Sequence, residues 1–95
     1  MRNTRKEGIT MQQFDYTITE PLGMHARPAG MFVKEASLCE CGVTITKGEK
    51  TVDAKRIFGV MGLSVKSGDS VTITLDGSDE EAAAEKLQAF MKETL

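Results

Sequence analysis

The chain holds a single histidine, two cysteines, two prolines, no tryptophan and only 5% aromatic residues in 95 positions. Each shortage removes a class of function. One histidine and two cysteines cannot supply the four ligands of a structural zinc site without carboxylates, so no metal is expected. A hydrolase built on a nucleophile, a base and an orienting group needs more than one histidine offers here. Cys39 and Cys41, one residue apart, are poorly spaced for an unstrained disulfide and read as ordinary thiols. No apolar run approaches the ~20 residues that cross a bilayer, and the N-terminus has no signal-like hydrophobic stretch. The expectation is a cytoplasmic protein, in a compartment that keeps thiols reduced, with no membrane contact. Twelve basic against fourteen acidic residues leave a net charge of −2. That balance lacks the basic excess or stripe that nucleic acid requires. No Gly-x-x-x-x-Gly-Lys phosphate cradle occurs, and no cofactor is expected.

What is present fits one domain. At this length a chain buries about 60–65% of its unfolded surface. Residues 1–10 have no apolar period and read as a flexible extension, so a single domain is expected over 11–95. Phe14, Tyr16 and Ile18 alternate with Asp15, Thr17 and Thr19, the pattern of a half-buried strand. Residues 20–24 form a turn, after which Ala29, Phe32, Val33 and Ala36 recur at helical spacing. Val43 and Ile45 alternate in a second strand, and Lys47-Gly48-Glu49 turns the chain into a third over 50–54. Residues 56–62 read as a short helix with Ile57, Val60 and Met61 on one stripe. After a turn at Ser67-Gly68-Asp69, Val71, Ile73 and Leu75 share one face of a fourth strand. Ser78-Asp79-Glu80-Glu81 reads as a capping box with Ser78 as N-cap and Glu81 at N3. It opens a last helix whose apolar face is Ala83, Leu87, Phe90 and Met91, with Glu80, Glu85, Lys92 and Glu93 elsewhere. The order β-α-β-β-α-β-α predicts an α+β open-faced sandwich, a four-stranded antiparallel sheet with three helices on one face.

The chemistry centres on Gly23-Met24-His25-Ala26-Arg27-Pro28-Ala29. Proline is tolerated in the first helical turn because its missing N–H has no intrahelical partner there, so Pro28 places His25 at or near an N-cap. The N–H groups around Ala26 and Arg27 then point outward with the positive end of the helix dipole, and the Arg27 guanidinium adds charge. An imidazole beside exposed amides and an arginine is suited to form and hold a phosphohistidine.

Residues 21–36, with Ala54-Lys55-Arg56-Ile57-Phe58-Gly59-Val60-Met61-Gly62-Leu63, resemble the HPr family, the histidine-containing phosphocarriers of the bacterial sugar phosphotransferase system. The resemblance extends over about residues 11–95. It implies that His25 accepts a phosphoryl group, on the ring nitrogen nearer the backbone, from phosphorylated Enzyme I. It further implies that the group passes to Enzyme IIA domains, and that Arg27 and the Ala26 amide steady it. The protein would thus be a substrate of transferases and not itself an enzyme, with a monomer as the default. A carrier docks several partners around one nucleophile, which favours a modest apolar patch with adaptable methionines. Met24, Gly30, Met31, Ile57, Phe58 and Met61 are the candidates, with Ile57 and Met61 equally open to a core role. One departure is Arg56. Many Gram-positive relatives carry a regulatory serine there, and arginine has no hydroxyl to phosphorylate.

Two other readings stay open at this point. A regulatory, nitrogen-type phosphocarrier would keep the chemistry and change the pathway. A small interaction module would bind a regulator or anion without being phosphorylated.

Overall fold

The computed structural model describes residues 11–95; the expected flexible extension at 1–10 lies outside the described residues. Strand β1 runs over Gln12–Thr17, helix α1 over Ala26–Ser37, strands β2 and β3 over Gly42–Lys47 and Lys50–Asp53. Helix α2 follows at Ile57–Gly62, strand β4 at Ser70–Asp76 and helix α3 at Glu80–Thr94. The four strands form one antiparallel sheet in the order β1-β4-β2-β3, so the expected element order and sheet are both found.

Alternation decides which face is covered. Phe14, Ile73, Ile45 and Val52 lie in one row across the sheet, with Tyr16–Val71 and Leu75–Val43 beside it. Val43, Ile45, Val71, Ile73 and Leu75 are buried and meet Phe32 and Ala36 of α1, Val60 of α2 and Leu87 and Met91 of α3 in one core. The Phe32 and Phe90 rings pack tilted with centroids 6.3 Å apart. Full burial of an aromatic the size of Phe32 contributes about 3 kcal/mol by area removed from water. The other face is a polar layer. Gln13 donates to Thr74 at 3.0 Å and Thr72 to Asp15 at 2.6 Å, while the Thr17–Ser70 and Thr46–Thr51 hydroxyls pair at 2.9 and 2.8 Å. Side chains that bond to one another across strands satisfy an open face without a covering layer.

The capping box is shifted by one residue. Asp79, not Ser78, is the N-cap of α3, and it makes no side-chain cap bond. Its carboxylate instead accepts the N–H groups of Glu40 and Cys41 at 2.9 and 2.8 Å. The role expected of Glu81 falls to Glu80, whose Oε1 accepts the Gly77 N–H at 2.9 Å. Glu80 is consequently buried, although its sequence position puts it off the apolar stripe. The cause is tertiary: the N–H groups of the loop after α1 take Asp79 as their acceptor. Gly77 permits the approach, since a Cβ there would lie 2.6 Å from the Cys41 Cα.

Candidate functional site

His25 is the N-cap of α1, in an extended conformation at φ −81° and ψ −174°, and its side chain does not cap the helix. Its carbonyl accepts the first intrahelical bond, from Ala29 at 2.9 Å. Among the described residues no acceptor is bonded to the N–H groups of Ala26 or Arg27, and Pro28 has none to offer. Two unsatisfied amides at the positive end of a helix of twelve residues therefore adjoin the imidazole, the arrangement that favours an anion.

The turn before His25 is held from two sides. On one, Thr19 and Glu20 donate their N–H groups to the Leu95 oxygen at the end of α3, the second at 2.8 Å, and the Thr19 hydroxyl donates to the same atom at 3.0 Å. On the other, the Met24 N–H donates to Val65 O at 3.0 Å. Gly23 makes this docking possible. It sits at φ +71°, and a Cβ there would fall 2.6 Å from Val65 O and 2.7 Å from the Lys66 Cα. The Val65 segment is anchored in turn by Lys47, whose ammonium donates to Leu63 O and Ser64 O at 3.2 and 2.8 Å and pairs with Asp69 at 3.1 Å. Ser64 occupies the left-handed region at φ 53°, a conformation that costs a non-glycine residue about 1 kcal/mol or more. The Lys66 amide and then the Lys47 ammonium hold the Asp69 carboxyl below its ordinary value.

His25 is half-buried and Arg27 exposed. Both line an open hollow of about 340 Å³ whose other walls are Glu20, Leu22, Pro28, Met31 and Thr94. Three of these walls escape sequence reasoning. Leu22 is 73% exposed, and an apolar residue between Pro21 and Gly23 in a turn was the available signal. Glu20 and Thr94 give no local signal, because the end of α3 reaches the hollow only through tertiary packing.

The expected docking residues divide. Met31, Phe58 and Met61 are 46%, 87% and 39% exposed, on helices α1 and α2, which pack against each other. Gly30 is also exposed, with open space around its Cα. Met24 is a correction: at 5% exposure it belongs to the core, because its N–H bond to Val65 draws it inward. Ile57 is partly buried against the core, so the stripe expected for α2 splits, with Ile57 and Val60 inward and Met61 outward. Arg56 is the N-cap of α2, with an extended backbone and an exposed side chain whose guanidinium lies 3.9 Å from Asp53. Cys39 and Cys41 are free and buried, and neither lines the hollow.

Comparison with known proteins accords with this geometry. The family model described as "PTS HPr component phosphorylation site" matches residues 12–93. The phosphocarrier protein HPr of Mycoplasma capricolum is 38% identical over 84 residues, 88% of this chain and 94% of that one. The HPr-like protein Crh of Bacillus subtilis is 45% identical over 71 residues, 75% of this chain and 84% of its own. A crystal structure of Crh, reported as a dimer with a swapped domain, matches with a TM-score of 0.70 at 36% identity, covering 100% of this chain and 98% of that one. The HPr crystal structure from Bacillus anthracis matches with a TM-score of 0.80 at 42% identity, covering 85% of this chain and 96% of that one. The chain belongs to the HPr family of phosphotransferase-system phosphocarriers.

Proposed function

We propose that this protein carries a phosphoryl group on His25, taking it from phosphorylated Enzyme I and passing it to Enzyme IIA domains during phosphoenolpyruvate-dependent sugar uptake. The observation that carries the reading is the N-cap position of His25, with its ring in an open hollow beside two unsatisfied amides and Arg27. A phosphoryl group brings about −1.5 to −2 charge at neutral pH and three acceptor oxygens, and the Ala26 amide and the Arg27 guanidinium are the donors placed to meet it. In the transfer, a P–N bond to a ring nitrogen of His25 forms as the bond from phosphorus to the donor's leaving atom breaks. The departing donor group takes up a proton, and His25 releases one from its other ring nitrogen, so charge and protons balance. The phosphorylated imidazole keeps most of the energy of its formation, as a relay requires, and the protein acts as a substrate of transferases in place of turning over itself.

Residues 11–95 form the single phosphocarrier domain in this reading, working in the cytoplasm as a monomer. Leu22, Met31, Phe58 and Met61 supply the apolar contact for Enzyme I and IIA, with Gly30 leaving room between them. Arg56 takes the place of a regulatory serine, so that switch is missing. A regulatory role gains some support from the likeness to Crh, and the relay experiment separates the two. Labelled phosphoenolpyruvate, Enzyme I and this protein are incubated, then a IIA domain is added. Label that enters the protein and then moves to the IIA domain supports the sugar carrier; label that enters and stays, with that IIA domain accepting from a known HPr, supports the regulatory variant.

A further inference from the structure

We propose that the Glu20 carboxylate repels the phosphoryl group on His25 and so raises the readiness with which that group is passed on; the proposal rests on the phosphocarrier reading above. Glu20 lines the same hollow as His25 and Arg27. Three bonds fix it there. Its N–H donates to Leu95 O at 2.8 Å, its carbonyl accepts the Gly23 N–H at 2.8 Å, and its Oε1 accepts the Leu22 N–H at 3.1 Å. The turn that delivers His25 to the helix start therefore also fixes a negative charge on the wall of the hollow.

The walls of that hollow carry opposed charges. Arg27 is the one permanent cation among the described lining residues and Glu20 the one carboxylate. When His25 accepts a phosphoryl group, a dianion-like charge of about −1.5 to −2 enters a space that already holds a carboxylate. Repulsion raises the energy of the phosphorylated carrier and does not act on the free carrier, whose imidazole bears no negative charge. The P–N bond then forms less favourably from the donor and breaks more favourably toward the acceptor, with the same atoms and protons exchanged as above. Arg27 acts in the opposite sense. The two residues together set a holding strength that a relay needs to keep intermediate. Across the open, partly solvated hollow that both residues line, one charge against nearly two amounts to a several-fold effect on the equilibrium, and salt weakens it.

Glu20→Gln isolates the charge, because glutamine keeps an oxygen to accept the Leu22 N–H and nearly the same shape. The complete chain is equilibrated with phosphorylated Enzyme I, and the phosphorylated fraction is read by intact mass. The expected result is an equilibrium shifted about three- to tenfold toward the phosphorylated Glu20→Gln carrier at low ionic strength. The gap closes as salt is raised to about 1 M, and Glu20→Asp stays near the wild type. An equilibrium equal to that of the wild type at low salt overturns the proposal. So does a shift that salt leaves unchanged, because a structural effect of the substitution would not be screened. A wild-type chain that takes no phosphoryl group from an active Enzyme I overturns the phosphocarrier reading itself, an outcome distinct from either.

Discussion

Asp79 gives its carboxylate to the Cys41 N–H, at 2.8 Å, and not to its own helix. The Glu40 amide first and the Cys41 thiol second hold its carboxyl below the ordinary 3.8. A depressed folded-state value means that the stabilisation is fully present above that ordinary value and is lost as pH falls below it through the folded one. Asp79→Asn, which lacks the charge, is expected to be less stable than the wild type at pH 7 and to lose the difference in acid. Thermal unfolding of both proteins from about pH 7 to about pH 2 measures the convergence.

Gly23→Ala tests the docking of the His25 turn. The alanine Cβ meets two main-chain atoms at 2.6 and 2.7 Å and requires a positive φ, and neither strain is relieved by moving a flexible side chain. A loss of about 2 kcal/mol or more in urea unfolding is expected, from the left-handed conformation and the displaced backbone together. Phosphoryl acceptance falls with it, because Met24 can no longer reach Val65 O.

Cys41 supplies an alkaline counterpart. Burial first, and then the Asp79 carboxylate, push its thiol up from 9.0 to about 11, and burial raises Cys39 as well. A raised folded-state value makes the stabilisation complete below the ordinary thiol value and lost as pH rises toward the folded one. Stability is expected to decline between pH 9 and pH 11, and less steeply in Cys41→Ala. At pH 8 a disulfide reagent should leave both thiols of the native protein unmodified until denaturant is added, since the thiolate is the reactive form.

Phe58 and Leu22 separate docking from folding. Both are largely exposed, at 87% and 73%, so alanine at either should change stability by less than about 0.5 kcal/mol. If they form the contact surface, KM for phosphorylated Enzyme I rises several-fold with little change in kcat. Unchanged KM in both variants would place the docking surface elsewhere.

The sheet, its polar face and the position of His25 were legible in the sequence because each rests on a local rule. Period-two alternation set Val71, Ile73 and Leu75 inward, and Pro28 fixed the start of α1 whatever the rest of the chain did. The departures arise where a distant group competes. Ser78 and Glu81 form a well-spaced capping pair, yet Asp79 is drawn to the loop at residues 40–41, and the pairing moves to Gly77 and Glu80. Met24 looked available beside the histidine, but its amide bond to Val65 takes it into the core. Glu20 read as part of a turn, and its place on the wall of the hollow depends on Leu95, seventy-odd residues on.

The central claim is the phosphohistidine at residue 25, and intact mass tests it most directly. The wild-type chain and His25→Ala are each incubated with phosphoenolpyruvate and an Enzyme I proven on a known HPr. The account predicts that the wild type gains the mass of one phosphoryl group, which acid removes, and that His25→Ala gains none. An unchanged wild-type mass, or an equal gain in His25→Ala, would contradict it.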